Sequence, residues 1–350
     1  MDGNKQILPA EAGVGGNMMR TIEIARAGGP ESLRAGWRPM PAPGPGQVLI
    51  AVHAAGVNRP DILQRQGSYP PPPGSSDLPG LEVAGTVVAI GAGVTWPGLG
   101  ECVTALVAGG GYASHCIAEA QLCLPVPVGM SMIEAAGIPE NWFTVWVHLV
   151  DFAQLQAGQS VLIHGGGSGI GIAAIQLAQA LGARIFTTAG ADEKVGLLNR
   201  MRAVTAINYR THDFVEVIAE ETGGQGVDAI LDMVGGSYLA RNISAAGADS
   251  SIALIAAIEN VIADGVQIDQ IMTKRIRISG NTLRDKSVAY KARVAAALHK
   301  SVWPLFERGA AAPVICRTFP LEGAAKAHQL MESSDHFGKI ILTNDNRVDD

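Results

Sequence analysis

Val161-Leu-Ile-His-Gly-Gly-Gly-Ser-Gly-Ile-Gly171 is an apolar run that breaks into glycines and leads straight into Ile172-Ala-Ala-Ile-Gln-Leu-Ala-Gln-Ala-Leu181. The pattern predicts a strand, a tight turn and a helix. Glycines in such a turn let the backbone approach a pyrophosphate, and the free N–H groups at the start of the next helix receive its charge. The motif departs from G-x-G-x-x-G, because Gly166-x-Ser168-x-x-Gly171 has serine in the middle position; alone, the turn also suits a close-packed α/β junction. The surroundings decide. Gly182-Ala-Arg-Ile-Phe-Thr-Thr-Ala-Gly190 reads as a second strand at the spacing a βαβ unit requires, so a Rossmann nucleotide-binding half and a dinucleotide ligand are expected.

The end of the second strand bears on which dinucleotide. NAD-binding chains usually place Asp or Glu there for the ribose 2′-OH, whereas this strand ends in neutral Thr188-Ala189-Gly190. A 2′-phosphate is not repelled. Lys194 and Tyr209 lie where a cation and a phenol reach that phosphate, which favours NADPH. The plain alternative is a solvated lysine and a packed surface aromatic, and Asp192 and Glu193 oppose the assignment if either turns inward.

With 350 residues, the chain is long for one core and suggests two domains. A net charge of −6 without a basic run gives no support to a nucleic-acid surface. Cys102, Cys116, Cys123 and Cys316 form no C-x-x-C pair, which fits a reducing compartment and predicts buried apolar thiols. No apolar run approaches the roughly 20 residues of a membrane span, and the start has no signal-peptide core, so a cytoplasmic protein is expected. The eight histidines form no H-x-x-x-H or mixed carboxylate cluster; His53, His115 and His148 fall inside regular segments and read as core or surface residues. Gly167-Ser168-Gly169 is better used as a phosphate turn than as a hydrolase elbow.

Residues 1–17, rich in glycine and without periodicity, read as a disordered tail or an upstream start. From Arg20 to about Ser131, segments such as 48–53 and 83–90 alternate with Gly/Pro loops and predict a β-rich domain. Beyond Thr144, helices and strands alternate, with 227–232, 251–256 and 276–279 as further strands of a buried parallel sheet. A helical stretch over 290–308, another over 324–333 and a strand at 338–342 then return to the first domain. The expected division is a tail at 1–17, a β-rich catalytic domain at 18–143 with 282–345, and a doubly wound dinucleotide-binding domain at 144–281.

This arrangement resembles the medium-chain dehydrogenase/reductase superfamily, whose β-rich domain is GroES-like. Gly56-Val-Asn-Arg-Pro-Asp61, Arg65-Gln-Gly-Ser-Tyr-Pro-Pro-Pro-Pro-Gly74, Pro79-Gly-Leu-Glu-Val-Ala-Gly85, Gly110-Gly-Tyr-Ala113 and His336-Phe-Gly-Lys-Ile340 resemble its zinc-free NADPH quinone oxidoreductases, the branch that includes zeta-crystallin. The superfamily's alcohol dehydrogenases use zinc to polarise an alcohol oxygen. Where they carry a cysteine before aspartate this chain has Asn58, where they carry a histidine before glutamate it has Leu81, and the third ligand region reads Pro139-Glu-Asn-Trp142. No metal is expected, and Glu82 is expected to be structural, hydrogen-bonded near the domain junction.

Without a Lewis acid, reducing an electron-poor quinone or enone needs mainly a well-placed hydride. The expected cofactor, NADPH, lies across Ser168, Gly169 and Ile170 and faces a cleft lined by Asn58, Tyr69, Trp142 and Thr144. Asn58 holds the ribose or the substrate carbonyl, unless it only stabilises a turn; Tyr69 donates to the incipient oxyanion, stacks on a flat ring or simply packs its loop, with water as proton source. Lys339 holds phosphate or nicotinamide, or is an exposed strand-end lysine. The resemblance further implies cofactor contacts from Gly190, Val234, Ala256, Leu283 and Gly338. An enone or 2-enoyl thioester reductase and a low-turnover NADPH-binding redox sensor remain open. A homodimer is expected from the resemblance and from an uncovered sheet edge at 251–257.

Overall fold

A computed structural model describes residues 18–344; the expected tail at 1–17 lies outside the described residues. The chain begins with a hairpin, β1 (Met18–Ile24) and β2 (Leu33–Pro39), followed by β3 (Gln47–Val57), α1 (Arg59–Arg65), β4 (Glu82–Ile90), β5 (Cys102–Leu106), β6 (His115–Glu119) and β7 (Cys123–Pro125). Short helices α2 (Met132–Ala135) and α3 (Pro139–Val145) lead to β8 (Ser160–Ile163), α4 (Gly169–Leu181), β9 (Arg184–Ala189), α5 (Asp192–Leu198) and β10 (Val204–Asn208). Then come α6 (Phe214–Glu221), β11 (Val227–Asp232), α7 (Tyr238–Ala245), β12 (Ala246–Leu254), α8 (Ile268–Lys274) and β13 (Arg277–Gly280). Helices α9 (Val288–Ser301) and α10 (Trp303–Glu307), strand β14 (Ile315–Pro320), α11 (Ala324–Ser333) and β15 (Lys339–Thr343) complete the described chain.

Six parallel strands form a sheet of order β10-β9-β8-β11-β12-β13, the doubly wound arrangement. Its two faces are read directly from alternating side chains: Val161 and Ile163 of β8 enter one core with α3, α4 and α9, while Leu162 enters another with Phe214 and Ile218 of α6. The strand order reverses at β8, where β9 and β11 flank it, so the glycine turn opens into the crevice at the switch point. A second sheet, β14-β15-β3-β4-β5-β7 with β6 on β3, carries the β-rich part, and β15 pairs antiparallel with β3, bringing the chain's end back to its beginning. The fold is α/β, a Rossmann sheet beside a GroES-like one.

Three expectations need correction. The run 251–257 is not a sheet edge, because β12 lies between β11 and β13; the edge is β13. The stretch 290–308 divides into two helices, since Pro304 suits only the first turn of a helix. Cys116 and Cys123 are buried thiols, but Cys102 and Cys316 are exposed.

Candidate active site

The glycine turn is shaped by what cannot fit in it. A Cβ on Gly171 would stand 2.3 Å from the Gly165 carbonyl oxygen, and one on Gly166 2.2 Å from Thr187 Oγ1, so the start of α4 packs on the backbone of the turn and the turn on the Thr187 side chain of β9. Gly165 itself has φ +69°, open to glycine at no cost. Ser168 caps α4: its Oγ accepts from Gly171 N at 3.0 Å and donates to Gly165 O at 2.7 Å. The Gly169 N–H turns to the Gly338 carbonyl across the bridge that pairs Ser168 with Gly338, and among the described residues nothing accepts from the Ile170 N–H, which leaves one free donor at the positive end of a 13-residue helix. A pyrophosphate fits this cradle, so the donor set suits a dinucleotide.

At the other end of the crevice, Thr187 and Thr188 turn inward, to Ile163 O and His164 Nδ1, and His164 continues to Asn242 and Asp232. Tyr209 lies over Gly190, where a Cβ would stand 2.5 Å from its hydroxyl. Lys194 passes the turn, its Cδ 3.4 Å from a Cβ on Gly167, but its ammonium donates to Ser334 O at 2.6 Å and His336 O at 2.8 Å. Two of its three donors therefore hold the segment between α11 and β15. Asp192 stays exposed, its carboxylate accepting from Asn208 Nδ2 at 2.6 Å. Gly338, with φ +94°, donates to Gly167 O at 2.8 Å, and a Cβ there would strike the Val314 carbonyl at 2.1 Å. The segment thus docks on the turn.

Lys339 is where reading and structure part. Its stem packs on Gly169, but its ammonium is buried and donates to Val57 O, Asn58 Oδ1 at 2.8 Å and Glu82 Oε1. All three N–H groups are used, so none remains for a phosphate. Glu82 Oε1 also accepts from Asn58 Nδ2 at 2.8 Å and Oε2 from the Glu140 N–H at 2.9 Å, which ties β4, β15, α1 and α3 together. Behind Asn58, Asp61 accepts from the N–H groups of Asn58 and Gly80 and, at 3.4 Å, from Tyr112 Oη. Burial pushes Asp61 up to about 6 against those two donors. His328 bridges Tyr112 and Arg65; facing the guanidinium its Nδ1 accepts, so Nε2 carries the proton, and burial and Arg65 push its pKa down to about 3.

Tyr69 is half-buried, with the Arg284 guanidinium 5.4 Å from its ring centroid; burial first and then Glu140 push its phenol up to about 12. Thr144 in α3 and Val234 and Ala256 beyond β11 and β12 are partly exposed, while Leu283 beyond β13 is buried. Trp142 does not line a cleft: it is 1% exposed and packs edge-on against Phe306 at 5.0 Å. Sequence reasoning missed Arg284, whose Nη2 donates to Gln64 Oε1 at 2.7 Å, and treated Glu140 only as part of a failed zinc motif. A charged residue at the head of an otherwise apolar helix was the available signal. Among the described residues no cluster of His, Cys, Asp and Glu is placed to hold a metal ion.

Residues 44–128 match the family described as alcohol dehydrogenase GroES-like domain, and residues 169–300 that described as zinc-binding dehydrogenase. The quinone oxidoreductase of Sus scrofa is 32% identical over 94% of this chain and 98% of its own, and that of Homo sapiens 31% over the same shares. Among solved structures, a mycobacterial protein complexed with NADPH superposes with TM-score 0.82 at 28% identity, covering 93% of this chain and 99% of that one. An enoyl reductase in its apo form does so with TM-score 0.82 at 27% over the same shares. Identity above 30% over nearly the whole of the chain and of these relatives, together with the two matching family models, makes the chain an oxidoreductase that belongs to the zinc-free quinone oxidoreductase family of the medium-chain dehydrogenase/reductase superfamily.

Proposed function

We propose that the protein is an NADPH-dependent, zinc-independent reductase of quinones and related electron-poor carbonyl compounds, a homodimer of the cytoplasm. The observation that carries this reading is the exchange at the ligand positions: the Asn58 amide is committed to Glu82 and Lys339, and Leu81 offers no ligand atom. NADPH supplies a hydride; everything else is done by the chain. The Ile170 N–H and the helix start at Gly169 receive pyrophosphate, Ser168 holds the turn open, and the segment ending in Gly338 walls the crevice. Tyr209 and the remaining donor of Lys194 stand at the neutral end of β9 for a 2′-phosphate. Tyr69 offers a phenol and a flat face to the acceptor, and Asn58, fixed on both sides, positions the floor. Thr144, Gly190, Val234, Ala256 and Leu283 line the path between. The catalytic lobe spans 18–143 with 282–344, and the cofactor lobe 144–281.

Dimerisation is assigned to the outer edge of β13 and to the connection and helix α8 that precede it, where Val261, Ile262, Ile268 and Met272 are 66–85% exposed. Among the described residues no helix is long and apolar enough to cross a membrane. A second reading, a 2-enoyl thioester reductase, is favoured by a cavity of about 650 Å³ beyond Arg284, where Leu78, Leu106 and Met19 meet Lys286 and Lys291. Titration of the protein with NADPH and NADH tests the cofactor. NADPH should bind about 10–100-fold more tightly, the worth of one or two charge-assisted hydrogen bonds, and Lys194→Ala should remove most of that preference. Equal affinities overturn it.

A further inference from the structure

We propose that Glu140 is the acid that delivers the proton of the reductive step, while Tyr69 orients the acceptor. The inference rests on reading the cleft as that of a nicotinamide-dependent reductase. Three carboxyl groups gather around the head of α3, and the structure treats them differently. Asp61 accepts from two backbone N–H groups and a phenol. Glu82 accepts from an ammonium, an amide and a backbone N–H. Glu140 spends its N–H on Glu82, and among the described residues its own half-buried carboxyl accepts from no donor.

The groups facing it from every side are Glu82 on β4, Asp61 on α1, Lys339 on β15, Arg284 beyond β13, Lys291 on α9 and Tyr69 in the loop after α1. The cations are largely committed: Lys339 to Glu82, Arg284 to Ala108 O and Gln64, and Lys291 to Arg284 O. A carboxyl without donors beside two that have them is the one that keeps a proton. Burial pushes Glu140 up to about 8, the Glu82 and Asp61 carboxylates push the same way, and Lys339 and Arg284 only partly oppose them. Tyr69, pushed up to about 12, releases its proton far less readily.

The step balances. NADPH, when bound, would supply a hydride with both electrons of its C–H bond to the acceptor, whose carbonyl oxygen would gain the charge. The O–H bond of Glu140 breaks, its proton joins that oxygen, and the carboxylate is reprotonated from water.

The test uses the full chain and Glu140→Gln. Infrared titration without cofactor should show a protonated-carboxyl band lost near pH 8, absent in Glu140→Gln. With an enone as acceptor, kcat of the parent should fall as pH rises through about 8. In Glu140→Gln, kcat should be at least about 100-fold lower and flat across that range, with NADPH affinity unchanged. A parent without the band, or a Glu140→Gln variant that keeps the parent's kcat and pH profile, overturns the proposal alone. A parent that binds NADPH and reduces no acceptor overturns the reductase reading and the proposal with it.

Discussion

Replacing Lys339 with methionine keeps the length of the side chain and removes its charge. Lys339 and Glu82 have side chains 4% and 0% exposed, and the ammonium has three acceptors, so the substitution leaves Glu82 buried and supported by Asn58 Nδ2 and one backbone N–H. Breaking a buried pair from one side costs about 3–5 kcal/mol, because the remaining charge has lost its compensation. With a urea m-value of about 3 kcal/mol/M, the high end suited to a long chain, the midpoint should fall by roughly 1–1.7 M. Glu82→Gln should be destabilised comparably by stranding Lys339. The double variant should be more stable than the sum predicts by at least about 1 kcal/mol. Circular dichroism through a urea series, with NADPH titrated into each folded variant, is the assay. A Lys339→Met chain within about 0.5 kcal/mol of the parent and tenfold weaker for NADPH would refute the reasoning and restore Lys339 as a phosphate ligand.

Gly171→Ala places a methyl 2.3 Å from the Gly165 carbonyl, so the turn must open; calorimetry should show NADPH affinity down by at least about tenfold with the sheet's circular dichroism retained. Glu140→Gln should change the pH dependence of stability in a definite direction. A carboxyl raised from 4.5 to about 8 on folding binds its proton more tightly in the native state, so the parent loses stability as pH rises between those values. The variant should match the parent near pH 5 and be more stable by at least about 1 kcal/mol at pH 8.5, read as melting temperature across pH.

The sheet was legible because its central strands β8, β9 and β11 carry short apolar runs bounded by turn residues, and Val227–Asp232 was read to the residue. The edge was not, because β13 is only four residues long and leaves no stronger pattern than β12. In the site, glycines announced the turn since their reason is local backbone geometry. The roles of Lys194 and Lys339 were hidden because their partners, Ser334, His336 and Glu82, lie 140 to 257 residues away. Glu140 was overlooked for a related reason: its meaning comes from donors it lacks, and a missing hydrogen bond leaves no mark on the sequence.

The most direct measurement is oxidation of NADPH by metal-free protein with a benzoquinone, a phenanthrenequinone and a simple enone, with NADH run in parallel and a chelator present. NADPH-selective turnover that survives the chelator is the predicted result. Loss of turnover on chelation, or equal use of NADH, would contradict the account, and cofactor binding without turnover of any acceptor would replace the reductase with a redox sensor.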